Sequence, residues 1–139
     1  LLKTASADVD CEIEIHHELA PESWPLDPER IREVIVNILR NAHEVAPGKP
    51  VRVDMSNPGD ELVVGFQDQG PGLPEDAEKL FKPFVTTKTK GTGLGLAIVS
   101  QIVRAHGGTI SARNASEGGA YFELRLPSKL RQARVRPLV

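Results

Sequence analysis

The segment from Pro28 to Val45 constrains the fold most. Ile31, Val34, Ile35, Ile38, Leu39, Ala42 and Val45 recur there at helical spacing. The pattern predicts an amphipathic helix that must lay one face on another layer. Asp27 is placed to cap it, Pro28 suits its first position, and it is expected to end near Pro47 and Gly48. Glu33, Asn37 and Asn41 recur at every fourth residue and form a second stripe on the same helix. Two asparagines one turn apart beside an apolar face are costly if buried without partners. The stripe is either a solvated face or a pair of amide oxygens facing a pocket. Such oxygens suit a hard cation such as magnesium, which bridges to phosphates.

Around this helix the period changes. Val9, Cys11, Ile13, Ile15 and His17 alternate with Asp10, Glu12, Glu14 and His16, which predicts a half-buried strand. Pro21, Pro25 and Pro28 break the chain after it. Val51–Ser56 and Glu61–Gln67 read as two strands joined by a turn at Asn57, Pro58, Gly59 and Asp60. A long irregular stretch follows from Gly70 to about Gly93, with one short helix near Asp76–Leu80. Loops of that length inside a compact domain are usually functional or mobile. A second helix is expected over about Leu94–Ala105, stopped by His106, Gly107 and Gly108. Thr109–Arg113 and Ala120–Leu126 read as a closing hairpin around Glu117, Gly118 and Gly119.

A chain of 139 residues with 40% hydrophobic residues is expected to form one domain with a real core. Aromatic residues are scarce, so Ile, Val and Leu must build that core. Residues 1–127 are assigned to the domain. Residues 128–139, with Lys129, Arg131, Arg134 and Arg136, read as a basic tail or linker. A net charge of −2 gives no support to nucleic-acid binding. The single cysteine, Cys11, excludes an internal disulfide and a cysteine-based zinc site. No apolar run is long enough to cross a membrane and no secretory signal stands at the start, so no membrane contact is expected of this stretch. The opening Leu1-Leu2-Lys3, without Met, reads as a fragment cut from a longer polypeptide.

Two glycine-bearing segments carry the chemistry. The first is Asp68-Gln69-Gly70-Pro71-Gly72, and the second is Gly91-Thr92-Gly93-Leu94-Gly95-Leu96. Between them lies Leu80-Phe81-Lys82-Pro83-Phe84-Val85-Thr86-Thr87-Lys88. A carboxylate at the end of an apolar strand can accept from an exocyclic amine. Glycines beside it let a ligand approach the backbone closely. The second segment enters a helix, whose first N–H groups and positive dipole end favour anions. It is not a P-loop, because no Gly-Lys-Ser/Thr follows. It is not the dinucleotide fingerprint either, because no strand leads straight into it.

Together these residues resemble the ATP-binding catalytic domain of sensor histidine kinases, within the gyrase, heat-shock chaperone, histidine kinase and mismatch-repair ATPase superfamily. Asn37-Ile38-Leu39-Arg40-Asn41-Ala42 resembles the N box, and Asp68-Gln69-Gly70-Pro71-Gly72 the first glycine box. Phe81-Lys82-Pro83-Phe84 resembles the F box, and Gly91-Thr92-Gly93-Leu94-Gly95-Leu96 the second glycine box. The motifs stand in family order over about Val9 to Pro127. The stretch Phe84–Leu96 and the Asn-Ala-His-Glu form of the N box are most similar to the nitrogen-regulator type.

The resemblance implies an α/β fold of the Bergerat type. That is a two-layer sandwich of one mixed sheet with helices on one face, holding ATP between the helices and a lid. It implies that Asn41, assisted by Asn37, ligates Mg2+. Asp68 would accept from the adenine amine, with Gly70 and Gly72 shaping the pocket. Backbone from Thr92 through Gly93, Leu94, Gly95 and Leu96 would hold phosphates, and Lys88 would reach the terminal one. Phe81 and Phe84 would anchor a lid that orders when nucleotide binds. Many relatives follow the N box with a lysine and a tyrosine. Here Glu44 and Val45 stand there, so neither a phosphate role nor adenine stacking carries over.

The implied reaction is transfer of the ATP γ-phosphoryl group to a histidine on a separate helical dimerisation domain, with a response regulator downstream. The setting is cytoplasmic, and the parent kinase can be membrane-anchored. His17-Glu18 is not that acceptor, because it sits on a predicted strand. His16, His43 and His106 read as structural or solvated, and no metal-ligand spacing joins them. Three alternatives stand beside the kinase: a conformational ATPase, an anti-sigma-type serine kinase, and a nucleotide-binding scaffold without catalysis. The ATPase branches place a glutamate base where Asn37 stands, and an amide cannot take a proton. Glu33, one turn earlier, is the remaining base candidate.

Overall fold

The computed structural model describes residues 1–17, 27–59, 61–73, 77–82 and 95–127. The order of elements is α1 (Leu2–Val9), β1 (Ile13–His17), α2 (Pro28–Val45), β2 (Val51–Ser56), β3 (Glu61–Gln67), a 3-10 turn (Ala77–Phe81), α3 (Gly95–Ala105), β4 (Thr109–Asn114) and β5 (Ala120–Pro127). The tail assigned to 128–139 lies outside the described residues.

The five strands form one mixed sheet in the order β1-β2-β3-β5-β4. β1 runs parallel to β2, and the other neighbours are antiparallel. The parallel pair is reached through the α2 crossover, whereas β2 and β3 are joined by a short turn at the positive-φ Gly59. β3 and β5 pair without being consecutive. α3 and the edge strand β4 both lie between them in sequence, and β5 then returns to pair with β3 on one side and β4 on the other.

The core lies between this sheet and the helices. Val51 and Val53 of β2, Leu62, Val64 and Phe66 of β3, and Phe122, Leu124 and Leu126 of β5 face it with period two. Ile31, Val34, Ile35, Ile38, Leu39 and Ala42 of α2 cover it, joined by Val99, Ile102 and Val103 of α3. The other face of the sheet is polar. Arg125 pairs with Glu61 at 3.2 Å and Glu123 at 2.7 Å, and Arg113 lies over the Tyr121 ring at 4.5 Å. That ring occupies the space a side chain at Gly65 would need.

The helix ends follow their chemistry. Asp27 Oδ1 accepts from the N–H groups of Glu29 and Arg30, with Pro28 in the first turn. At the end of α3, Gly107 takes φ +74° and the N–H of Gly108 reaches the carbonyl of Val103. His106 is structural. Its Nδ1 bonds the carbonyl of Ile102, and its Nε2 accepts the N–H of Asp27, tying the end of α3 to the start of α2.

The N-terminal end corrects the sequence reading. The alternation read as a strand from Val9 begins only at Ile13, and Leu2–Val9 is helical. Leu2, Ala5 and Val9 pack on the core, and Asp10 reverses the chain in the left-handed region at φ 57°. Arg32 of α2 pairs with Asp8. Val9 satisfies the helical packing and the period-two pattern at once, and Cys11 is buried just past the helix end, so a short window cannot separate the two. Cys11 is buried, and that burial, with Asp10 beside it, pushes its thiol pKa up.

Leu39 is fully buried at the centre of α2. Leu39→Ala should destabilise the domain by about 2–5 kcal/mol in urea unfolding. A loss below about 1 kcal/mol would place the centre of the core elsewhere.

Candidate functional site

The site gathers where α2, the start of α3 and the β3–β5 end of the sheet meet. Asp68 directly follows β3 and is only 4% exposed. A buried carboxylate needs donors, and Asp68 has two: its Oδ1 accepts from the N–H of Gly70 at 3.0 Å and of Ala120 at 2.9 Å. Its own N–H bonds the carbonyl of Ala120. Oδ2 makes no hydrogen bond among the described residues. Among the described residues one oxygen is thus spent on holding the turn, and the other is available to a further donor.

Glycines sit where the turn has no room. A β-carbon on Gly119 would collide with the main-chain oxygen of Asp68. One on Gly72, at φ +96°, would lie 2.7 Å from Asn114 Oδ1. Gly70 is different: its obstacle is the side chain of Val45, 2.8 Å from where the β-carbon would sit. Val45 is 37% exposed, an apolar surface at the end of α2 beside the Asp68 turn. Gln69 Nε2 donates to the carbonyl of Pro50, and Gln67 Nε2 to that of Gly118, bracing the turn from both sides.

On α2, Asn37 Nδ2 donates to the main-chain oxygen of Glu33 at 2.8 Å, which fixes the amide. Its Oδ1 is turned toward the first residue of α3, 3.1 Å from where a β-carbon on Gly95 would sit. Asn37 of the N box and Gly95 of the second glycine box are therefore adjacent. Asn41 is half-buried, and its amide has no hydrogen-bond partner among the described residues. A fixed amide oxygen and an unpartnered amide one turn apart suit a hard cation with oxygen ligands. Glu33 is ion-paired with Arg30 at 3.5 Å on the helix surface.

Phe81 packs edge-on against Phe122, ring centroids 6.3 Å apart, so the first residue of the F box is seated on the core through β5. Leu96 packs partly buried against the same core. Phe84, Lys88, Thr92, Gly93 and Leu94 lie outside the described residues. The structure brings Asn37 to Gly95, and Gly70 and Asp68 together beside Val45 at the end of the same helix. It adds Gly119, Ala120 and Asn114, which the sequence reading treats only as parts of a hairpin. The signal for Gly119 and Ala120 was the Gly118-Gly119 pair itself, whose second glycine is demanded by packing as well as by the turn.

Gly118 and Gly119 both have positive φ, +105° and +79°, but only Gly119 meets backbone. Gly118→Ala should cost only backbone strain, about 1–2 kcal/mol. Gly119→Ala should cost clearly more and displace Asp68. Equal urea midpoints for the two variants would contradict the close approach.

Against known proteins, residues 26–130 match the family described as histidine kinase-, DNA gyrase B-, and HSP90-like ATPase. The chain is 38% identical over 128 residues to the signal transduction histidine-protein kinase AfsQ2 of Streptomyces coelicolor. The match covers 88% of this chain and 22% of that protein. It is 40% identical over 121 residues to the nitrogen regulation protein NtrY of Azorhizobium caulinodans, covering 78% of this chain and 16% of NtrY. The chain thus spans about a fifth of the length of these relatives. Among solved structures, the nucleotide-free catalytic domain of histidine kinase ThkA superimposes with a TM-score of 0.78 at 28% identity, covering 94% of this chain and 88% of that one. Full-length ShkA in complex with AMPPNP superimposes with a TM-score of 0.74 at 29% identity, covering 91% of this chain and 27% of ShkA. Matched over most of its length, and sharing the fold of histidine kinase catalytic domains, the chain belongs to the histidine kinase-, DNA gyrase B- and HSP90-like ATPase family.

Proposed function

We propose that this chain is the ATP-binding catalytic domain of a two-component sensor histidine kinase. It would transfer the γ-phosphoryl group of ATP to a histidine on a separate helical dimerisation domain, from which a response regulator is served. The observation that carries this reading is the buried Asp68, with Oδ1 spent on Gly70 and Ala120 and Oδ2 left for an outside donor. An amino group of adenine is such a donor. The family match and the AMPPNP complex of ShkA support a nucleotide here.

In this reading Asp68 accepts from adenine, Val45 and Gly70 form one wall, and Gly72 keeps the turn close. Mg2+, when bound, would neutralise phosphate charge, and Asn41 and Asn37 are the residues that would hold it. Glu33 fixes Asn37 through its carbonyl, while its ion-paired carboxylate is poorly placed to serve as a base. The sequence alone assigns phosphate contacts to Lys88 and to Thr92, Gly93 and Leu94, continuing into Gly95 and Leu96, and lid anchoring to Phe84 beside Phe81. Phosphoryl transfer asks the protein for positioning and charge neutralisation rather than covalent chemistry. Among the described residues no helix is long and apolar enough to cross a membrane. We place the reaction on the cytoplasmic side, where ATP and response regulators are found.

Two measurements test this. In calorimetry with ATP and magnesium, Asp68→Asn should weaken binding by about 1.5–3 kcal/mol, because Oδ2 becomes a donor facing a donor. Unchanged affinity would remove Asp68 from base recognition. General-base catalysis is typically worth about 10²–10⁴-fold. With an amide at Asn37, phosphate release by the isolated domain should be slower than that of a base-bearing ATPase by about that factor. Turnover matching such an ATPase would favour the conformational-ATPase reading.

A further inference from the structure

The two ends of the Asp68–Leu73 segment are held by one cross-strand pair. Asn114, the last residue of β4, stands opposite Ala120, the first residue of β5. Ala120 grips the start of the segment: its N–H donates to Asp68 Oδ1, and its carbonyl accepts from the Asp68 N–H. Asn114 grips the end. Its Oδ1 accepts the N–H of Leu73 at 2.7 Å, and its Nδ2 donates to the carbonyl of Leu73 at 3.5 Å. The same Oδ1 stands 2.7 Å from where a β-carbon on Gly72 would be, so the turn passes directly beneath the amide.

A side-chain amide that meets both the donor and the acceptor of one residue mimics a strand partner. It fixes position along the chain as well as distance. The Leu73 side chain packs partly buried on the core, so both its side chain and its backbone are held in place. Nothing in this arrangement requires Asn114 to touch a ligand.

We propose that Asn114 is a positioning residue for base recognition: with Ala120 it clamps the Asp68–Leu73 turn in the geometry that lets Asp68 select adenine. This rests on the adenine reading of Asp68 given above. Loss of the clamp frees the far end of the turn while Ala120 still holds the near end. The expected fault is therefore in base selectivity rather than in phosphate binding.

The test compares ADP and GDP affinities, with magnesium, for the 139-residue chain and its Asn114→Ala, Asn114→Asp and Asp68→Asn variants. Asn114→Ala should weaken ADP binding about fivefold, the worth of one neutral hydrogen bond, and leave the weaker GDP binding nearly unaltered. Asn114→Asp keeps an acceptor for the Leu73 N–H and should restore most of the ADP affinity. Should Asn114→Ala not fold, Asn114→Ser is read by the same ratio. An unchanged ADP affinity, or equal proportional losses for ADP and GDP, would overturn the proposal. Asp68→Asn separates the two ideas. If it leaves ADP binding intact, the adenine reading fails and this inference with it. If it weakens ADP binding while Asn114→Ala does not, only the role of Asn114 is lost.

Discussion

The structure depends on one buried carboxylate. Asp68 lies where β3 leaves the middle of the sheet, and burying its charge would be prohibitive without donors. The donors come from its own turn and from β5, a strand that arrives 52 residues later. That requirement shapes what surrounds it. β5 must begin with an N–H aimed at Asp68, and the residue before it must be glycine because the two backbones nearly touch. The turn must close back within two residues to supply the Gly70 N–H. The hydrogen bonds that make burial tolerable engage only one carboxylate oxygen among the described residues, and an oriented oxygen without a partner there is the condition for selective binding.

The long helix α2 supplies the facing wall, and its two stripes divide the work. The apolar stripe anchors it to the sheet, so the polar stripe cannot rotate away from the site. Asn37 is further fixed by its bond to Glu33 and directed at the start of α3. His106 joins the far ends of the same two helices through the capping residue Asp27. Rigid backing on the sheet side and paired helices on the other are what a positioning catalyst requires.

Much of this was legible in the sequence because the signals were strong and local. The α2 stripe, its Asp27 cap, both strands of the β2–β3 pair and the glycine stop after α3 each follow from side-chain period or turn chemistry. The first turn of the chain was not legible. Leu2, Ala5 and Val9 are too few to set a period, and Asp10 gives no glycine signal for its left-handed conformation. The site was legible only as motifs. Asp68 and Gly70 announce themselves, but the need for Ala120 and Gly119 arises from strand pairing between segments 52 residues apart. Asn114 is an ordinary polar residue at a strand end until β4 is placed beside β5 and its amide is seen to meet Leu73. Long-range backbone contacts of this kind leave no local pattern.

The central claim is that Asp68 is the base-recognising group of a nucleotide site built between α2 and the β3–β5 end. The amides of Gly70 and Ala120, both bonded to Asp68 Oδ1, report on it directly. In a two-dimensional NMR titration with ADP and magnesium, these two amides and the side-chain amides of Asn37 and Asn41 should shift together and saturate with one affinity. Glu14, Arg52 and Glu123 on the open face of the sheet should not move. Shifts confined instead to the open face, or to the cavity of about 410 Å³ bordered by Ser6, Asp10, His43 and Lys49, would contradict the account.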